Sequence, residues 1–143
     1  MLLAVAESER IQSDLIPKIA TGFCGGVSRT CGMCGAVSGG IMVVGLFTGR
    51  SASTDSITET YSKVQKLLEE FRLRFGSTNC RELTGCDLGT DEGQAFFKKN
   101  EIKKKCRIYI EGATGIALSL VEDKLSGGRH TQKPEETTPR RMR

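Results

Sequence analysis

The sequence predicts a mainly α-helical protein, a small single-domain helical bundle built around a glycine-rich central helix. Apolar residues recur at three- and four-residue spacing through much of the chain, which is typical of helices with one buried face. An apolar segment at 35–49 repeats small residues every four positions. The chain has 143 residues, enough to bury a core without cross-links. We expect residues 1–125 to form this cysteine-containing domain and residues 126–143 to be a disordered basic tail.

The first elements are expected to be short. Residues 2–9 are typical of the end of a helix, and residues 13–14 cap a short helical turn. A glycine-rich loop is then predicted at 22–35. It contains three of the six cysteines, Cys24, Cys31 and Cys34.

The central helix is predicted at 35–49. Gly35 and Gly39 share one face, as do Ala36 and Gly40, because residues four apart are neighbours on a helix. Glycine costs about 1 kcal/mol relative to alanine inside a helix. A helix this rich in glycine therefore needs close tertiary contacts, and we expect it to be buried.

The clearest helix is predicted at 56–75. Ser56 and Glu59 match a capping box, and Gly76 supplies the C-terminal stop. One apolar stripe is expected to face the core, formed by Ile57, Tyr61, Val64, Leu68, Phe71 and Phe75.

Three further helices are expected in the second half of the chain. A capped start at 77–84 is followed by a loop, and helices are predicted at about 91–100 and 102–125. One cysteine falls in the capped start, one in the loop and one in the last helix, namely Cys80, Cys86 and Cys106.

The charge distribution argues against nucleic-acid binding. The net charge is +4, but residues 1–125 carry 16 basic and 15 acidic side chains, so most of the excess lies in the tail. A basic stripe interleaved with aromatic residues is missing. We interpret the lysine cluster as a solvated helix surface, formed by Lys98, Lys99, Lys103, Lys104 and Lys105.

The expected location is the cytoplasm. The apolar start of the chain is too short for a signal peptide, and 35–49 falls short of the roughly 20 residues that a membrane span needs. We therefore expect no stable membrane insertion. In a reducing compartment, cysteines are more often metallated or catalytic than cross-linked.

The spacing of Cys31 and Cys34 points to sulfur chemistry. A Cys-X-X-Cys pair suits a dithiol that cycles with a disulfide, and it equally suits two thiolates on one metal ion. Cys80 and Cys106 could join Cys34 to hold zinc or an iron–sulfur centre. Two buried cysteines acting as small apolar residues are the alternative. Cys24 and Cys86 lie in no motif.

Several other chemistries are excluded by the sequence. The single histidine, His130, lies in the predicted tail, so no Cys-His-Asp arrangement can form in the body. Gly35 follows Cys34 where covalent c-type haem attachment requires histidine. The glycine-rich loop also lacks the Gly-Lys-Ser/Thr ending of a nucleotide-binding P-loop.

The string Cys34-Gly-Ala-Val-Ser-Gly39, followed by a distant Cys80 and then Cys106, resembles a known family. It is similar to the redox-active proteins named for a C-GCAxxG-C-C cysteine pattern, which are related to a domain of split-Soret cytochromes. The resemblance covers about residues 2–120. It implies a redox role for four cysteines, three of which would be Cys34, Cys80 and Cys106. The family's first cysteine lies just ahead of the segment that begins here at Leu2, where this chain shows none. Either the first residues are missing or misassigned, or Cys31 or Cys24 completes the set.

These observations together predict a small redox-active cysteine protein. Cys31 and Cys34 are the expected catalytic pair, Cys80 and Cys106 the further metal ligands, and Gly35 and Gly39 the neighbours of the cofactor. The cofactor would be an iron–sulfur cluster or zinc, with dithiol cycling as an alternative. A redox partner protein is expected, and the oligomeric state is left open. The competing hypothesis is a structural or interaction protein with buried cysteines or a structural zinc site.

Overall fold

The computed structural model describes residues 1–125, so the predicted tail and His130 lie outside the described residues. The mainly helical fold is confirmed, and within the described part of the chain the only pairing of β type is one isolated bridge between Met33 and Asn79. The helices are α1 Leu2–Ser8, α2 Leu15–Ala20, α3 Cys24–Arg29, α4 Gly35–Thr48, α5 Thr58–Phe75, α6 Cys80–Thr84, α7 Asp91–Lys99, α8 Lys103–Leu120 and α9 Glu122–Leu125, with a 3-10 turn at Thr21–Phe23.

The glycine-rich helix α4 lies at the centre, packed against α5 and α8. Val37, Val43 and Val44 are completely buried. A methyl group at Gly40 would lie 2.9 Å from Leu67 Cδ1, so the missing side chain lets α5 approach the α4 backbone closely. The predicted central helix is confirmed, and at Gly40 the glycine has the expected packing reason.

Aromatic side chains join α5 to α8. The rings of Phe75 and Tyr109 meet edge to face at 5.2 Å between centroids, and Phe71 packs against both. The Tyr109 hydroxyl donates a hydrogen bond to the Leu83 carbonyl at 3.1 Å. The main core is therefore tied to α6, the short helix that begins at a cysteine.

The N-terminus of α5 differs from the prediction. The helix begins at Thr58, two residues later than expected, and Ser56 Oγ accepts a hydrogen bond from the Thr58 N–H rather than forming a capping box with Glu59. Glu59 instead forms ion pairs with Lys63 and Lys124. Glu59 therefore pairs with Lys124 of another helix and does not cap its own helix.

The predicted apolar stripe of α5 is partly wrong. Phe71 is completely buried, as is Leu67, which the predicted stripe did not include, whereas Tyr61 is 59% exposed and Ile57 is 37% exposed. Ile57 is the N-cap residue and Tyr61 lies in the first turn, so both precede the buried part of α5. The Gly76 stop is confirmed, with φ +87° at the helix end.

The predicted loop at 22–35 is partly wrong as well, because α3 occupies its middle. Gly25, Gly26, Val27 and Ser28 all have left-handed backbone angles, with φ between +50° and +65°. That conformation costs roughly 1–2 kcal/mol for each residue that has a side chain. A run of this kind persists only where the surroundings fix it, and such strained segments cluster at functional sites.

No helix among residues 1–125 combines the length and apolar character needed to cross a lipid bilayer.

Candidate functional site: a cysteine-lined cavity

Backbone pairing brings two distant cysteines together. The Cys34 N–H donates to the Thr78 carbonyl at 2.8 Å, and the Cys80 N–H donates to the Gly32 carbonyl at 2.7 Å, on either side of the Met33–Asn79 bridge. Cys34 directly precedes the first residue of α4, and it is 8% exposed. The start of the central helix is therefore held against the start of α6.

Cys80 is the first residue of α6 and is 5% exposed. The preceding Asn79 caps the helix, since its Oδ1 accepts from the Glu82 N–H at 3.1 Å, and its Nδ2 donates to the Cys31 carbonyl at 2.9 Å. A methyl group at Gly26 would lie 2.7 Å from Cys80 Sγ. Glycine at 26 thus serves two needs, a left-handed backbone and room for this sulfur.

A cavity of about 440 Å³ lies at this end of the molecule, and four cysteines line it. We call it the cysteine cavity. Its cysteines come from four separate elements, namely Cys24 from α3, Cys34 from the start of α4, Cys80 from α6 and Cys106 from α8. Gly35 and Gly39 also line it. Most of the remaining lining is apolar and includes Leu2, Leu3, Phe23, Met42, Leu88 and Ile110.

The four cysteines differ in exposure. Cys34 and Cys80 are buried, Cys106 is half-buried, and Cys24 is exposed, with its thiol 3.9 Å from the Ala20 carbonyl. Cys86 is buried beside Cys80 in a small apolar cluster, and its sulfur lies 3.6 Å from Thr84 Oγ1. It does not line the cavity. The cavity therefore has buried thiols inside and one accessible thiol.

Burial and the charges of neighbouring sulfurs both raise the pKa values of the thiols at Cys80 and Cys106. Burial raises the pKa of Cys80 to about 11, and the negative charges of Cys34, Cys106 and Cys31 add to the rise. Burial also raises the pKa of Cys106, and the charges of Cys34 and Cys86 add smaller contributions in the same direction. These thiols are protonated at neutral pH in the metal-free protein.

The two members of the Cys-X-X-Cys pair face different surroundings. Cys31 has a positive φ of +59°, and its thiol donates a hydrogen bond to Asp87 Oδ1 at 3.1 Å. This hydrogen bond, the Gly89 N–H and the Arg81 guanidinium together lower the pKa of the Asp87 carboxyl. Cys34 lines the cavity and Cys31 does not. The structure thus places Cys34 in the cavity with Cys80 and Cys106, whereas Cys31 is outside the lining, although it is near enough to Cys80 to raise the pKa of that thiol.

The donor set fits some metal centres better than others. One zinc ion needs its sulfur ligands about 2.3 Å from a single point. Within residues 1–125, no three cysteine, histidine or acidic side chains are gathered closely enough to hold a single ion. A polynuclear iron–sulfur cluster spreads its thiolates around a larger body. Four cysteines around a cavity of about 440 Å³ match that requirement in residue type and in available space.

Sequence reasoning named Cys24 only as an alternative to Cys31, and it gave Tyr109 no role at the site. Cys24 lies in no motif, yet the left-handed turn that follows it places it at the cavity. Tyr109 both lines the cavity and donates a hydrogen bond to α6. Glycines at 25 and 26, directly after Cys24, were the available signal that this segment folds back tightly.

The comparisons with known proteins agree with the cysteine pattern. No curated protein and no solved structure matches the chain. The sequence model of one protein family does match, over residues 1–120, and its description reads "Putative redox-active protein (C_GCAxxG_C_C)". The match includes every residue that positions Cys34, Cys80 and Cys106. The chain therefore belongs to this family.

Proposed function

We propose that the protein is a one-electron carrier whose redox centre is an iron–sulfur cluster in the cysteine cavity. Cys34, Cys80 and Cys106 would be three of its ligands, and Cys24 the fourth. The observation that carries this proposal is that four cysteines from four separate elements line a single cavity. A cluster of this type supplies reversible one-electron chemistry.

The electrostatics of the site support a metal-bound state over free thiols. Thiols with raised pKa values are poor nucleophiles at neutral pH, because the thiolate is the reactive form. The charges of Cys34 and Cys106 both raise the pKa of Cys80, so these three sulfurs lie close enough to repel one another if they all become thiolates without a cation. A metal centre removes this repulsion and deprotonates the thiols that bind it.

The surroundings of the cavity would tune such a centre. The buried positions of Cys34 and Cys80 keep water from their sulfurs, and Leu88 and Phe97 extend the apolar wall. Burial and hydrogen bonding to sulfur are the main levers that set the potential of a cluster. Gly35 and Gly39 also line the cavity, but the space beside them is taken by protein atoms: a methyl group at Gly39 would collide with the Met1 side chain, and one at Gly35 would lie 3.3 Å from the Phe23 carbonyl oxygen.

A second candidate is a dithiol centre inside the same cavity. It is favoured by the proximity of Cys34, Cys80 and Cys106, whose charges influence one another. Two of these thiols would form one S–S bond and give two electrons and two protons to a partner disulfide, whose own S–S bond would break to give two thiols. The pair would involve Cys34 with Cys80 or Cys106, since the Cys31 thiol is bonded to Asp87.

Metal analysis tests the proposal. Protein prepared anaerobically and reconstituted with ferrous iron and sulfide should contain both elements and absorb visible light. The variants Cys34→Ser, Cys80→Ser and Cys106→Ser should each lose most of the iron. Cys31→Ser is the matched control, because this thiol is closest in sequence to Cys34 and yet bonds Asp87. It should keep the wild-type iron content.

The same samples separate the alternatives. Absence of iron together with a Cys34–Cys80 or Cys34–Cys106 bridge, found by mass spectrometry after mild oxidation, would replace the cluster with the dithiol centre. Zinc held by protein without iron would support the structural-site hypothesis. A wild-type chain that binds no metal and loses no thiols on oxidation would refute a redox role for the cavity.

A further inference from the structure

The basic side chains of the described chain are concentrated beside the cysteine cavity. Residues 98–107 contain six basic side chains and one acidic side chain, a net charge of +5. The rest of residues 1–125 contains ten basic and fourteen acidic side chains, a net charge of −4. We name the exposed side chains of this stretch the basic patch, and they are Lys98, Lys99, Lys103, Lys104, Lys105 and Arg107.

Helix stability explains only part of this charge, because Lys98 and Lys99 lie in the last turn of α7, where cations are favourable, whereas the lysines of α8 lie at the opposite end of a helix. Lys103, Lys104 and Lys105 occupy the first turn of α8, which has no acidic residue. The N-terminal end of a helix carries partial positive charge, so lysines there are unfavourable. Lys104 is paired with Glu101 at 2.6 Å, and the other members of the patch have no ion-pair partner within residues 1–125. At the start of α8 the charges oppose local stability, which indicates another use for them.

The patch and the cysteine cavity share a wall. Lys98, Lys103, Lys104 and Arg107 line an open depression of about 370 Å³, and Phe97 forms part of it. The same Phe97 lines the cysteine cavity. Cys106, another residue of the cavity, lies between Lys105 and Arg107 in α8. A protein bound on the patch would therefore sit next to the thiols.

We propose that the basic patch is the docking surface for an acidic redox protein, which exchanges electrons with the cysteine cavity. The partner class rests on the proposed function, whereas the sign of its charge follows from the patch itself. Complementary charges increase association rates about 10-fold to 1,000-fold and orient the partners. Phe97 and Arg107 are residue types enriched at the centres of such interfaces.

A nucleic acid fits this surface less well. Proteins that bind single strands combine a long basic groove with several aromatic side chains on which bases stack. The depression here has one aromatic residue, Phe97, and it is only partly exposed. The remainder of the described chain carries net negative charge and would repel an extended polyanion. A compact acidic protein matches a small positive surface of this kind.

The test measures the association rate of an acidic flavodoxin, used as the probe, with the reconstituted protein. Lys103→Glu should lower this rate by about threefold to tenfold at low ionic strength, and high salt should remove most of the difference. The same substitution should raise the Tm by about 2–4 °C, because it places an acidic residue in the first turn of α8. Weaker docking by a more stable protein cannot be attributed to misfolding.

Lys66→Glu is the matched control. Lys66 is an exposed lysine of α5 outside the basic patch, and its reversal changes the net charge by the same amount. Association rates within twofold of wild type for Lys66→Glu, with the loss in Lys103→Glu, would support docking at the patch. Equal losses in both variants would overturn it, because they would show an effect of net charge alone.

Two other outcomes also decide the proposal. Preferential binding of a thymidine oligonucleotide at the patch, with no binding of flavodoxin, would assign the surface to nucleic acid and overturn the inference. Iron and sulfide contents are measured on the same samples. A patch that fails to bind flavodoxin on a chain with full iron content would refute docking and leave the proposed redox centre standing.

Discussion

At Cys80, burial and neighbouring charge favour the same protonation state. A free cysteine has a pKa of about 8.5, and burial together with three nearby sulfurs raises that of Cys80 to about 11. In the unfolded chain the thiol loses these neighbours. Folding therefore binds a proton more tightly at this position, which makes stability depend on pH.

The reduced, metal-free protein should lose stability in alkali. A folded-state pKa above the unfolded value contributes stability that is complete below about pH 8.5 and is lost as the pH rises through about 11. Urea unfolding between pH 7 and pH 11, under argon, measures this loss. Cys80→Ala should show a shallower decline over that range. Equal slopes in the two proteins would contradict the assigned environment.

Gly26 is the position where a single methyl group should matter most. Its left-handed φ of +65° disfavours alanine, and the added carbon would also lie 2.7 Å from Cys80 Sγ. We expect Gly26→Ala to destabilise the protein by about 2–4 kcal/mol, the sum of backbone strain and overpacking. Chemical denaturation measures the change, and iron content should fall with it.

Gly25→Ala is the control for that substitution. Gly25 has a similar φ of +59°, but a methyl group there would meet only Arg29 Cγ at 3.7 Å, an ordinary contact. Its cost should be near 1 kcal/mol, from backbone strain alone. If both alanine variants lose equal stability, the contact between position 26 and Cys80 does not matter.

The chemistry of single residues was only partly predictable from the sequence. The capped start that places Cys80 in a first helical turn was read correctly, because Asn79 and Glu82 form a local signal. The different environments of Cys31 and Cys34 were not predicted, because the contact of Cys31 is with Asp87, which lies 56 residues further along the chain. Spacing defines which thiols can meet, and tertiary contacts decide which do.

Among the elements, α4 depends on glycine at some positions and not at others. A methyl group at Gly40 would approach Leu67 Cδ1 at 2.9 Å and the Ala113 carbonyl at 3.5 Å, whereas one at Gly45 would meet nothing within 4 Å. The spacing of α4 from α5 and α8 is therefore set at Gly40. The two glycines offer a comparison within one helix.

Alanine should have opposite effects at these two positions. Gly45→Ala should stabilise the protein by about 1 kcal/mol through helix propensity. Gly40→Ala should destabilise it by about 1–3 kcal/mol, since overpacking outweighs that gain. Thermal unfolding followed by circular dichroism gives both values. A stabilised Gly40→Ala protein would mean that the helices do not pack closely at this point.

Helix existence was predictable, and helix ends were less so. α5 has a strong apolar pattern and a glycine stop, so its presence and its C-terminus follow from local signals. Its N-terminal cap failed because Glu59 pairs with Lys63 and with Lys124, 65 residues further on. The left-handed turn of α3 was also missed, since Val27 and Ser28 seldom adopt positive φ.

At the scale of the whole molecule, the fold brings together cysteines that the sequence keeps far apart. The close packing of α4 with α8 positions Cys106, and the pairing around Met33 and Asn79 positions Cys80 beside Cys34. Periodicity could not show this meeting, because it reports only which face of each helix is buried. The resemblance to a family with a cysteine pattern implied that Cys34, Cys80 and Cys106 act together, and the structure places all three in the lining of one cavity.

The central claim is that the redox centre lies in the cysteine cavity. A crystal of the reconstituted protein, measured at the iron absorption edge, locates the metal directly by its anomalous scattering. We predict one compact iron peak within bonding distance of the sulfurs of Cys34, Cys80 and Cys106. Iron bound at Cys31 and Asp87 would contradict the claim. So would a crystal in which iron is bound elsewhere while the cysteine cavity holds no iron and its thiols are all reduced.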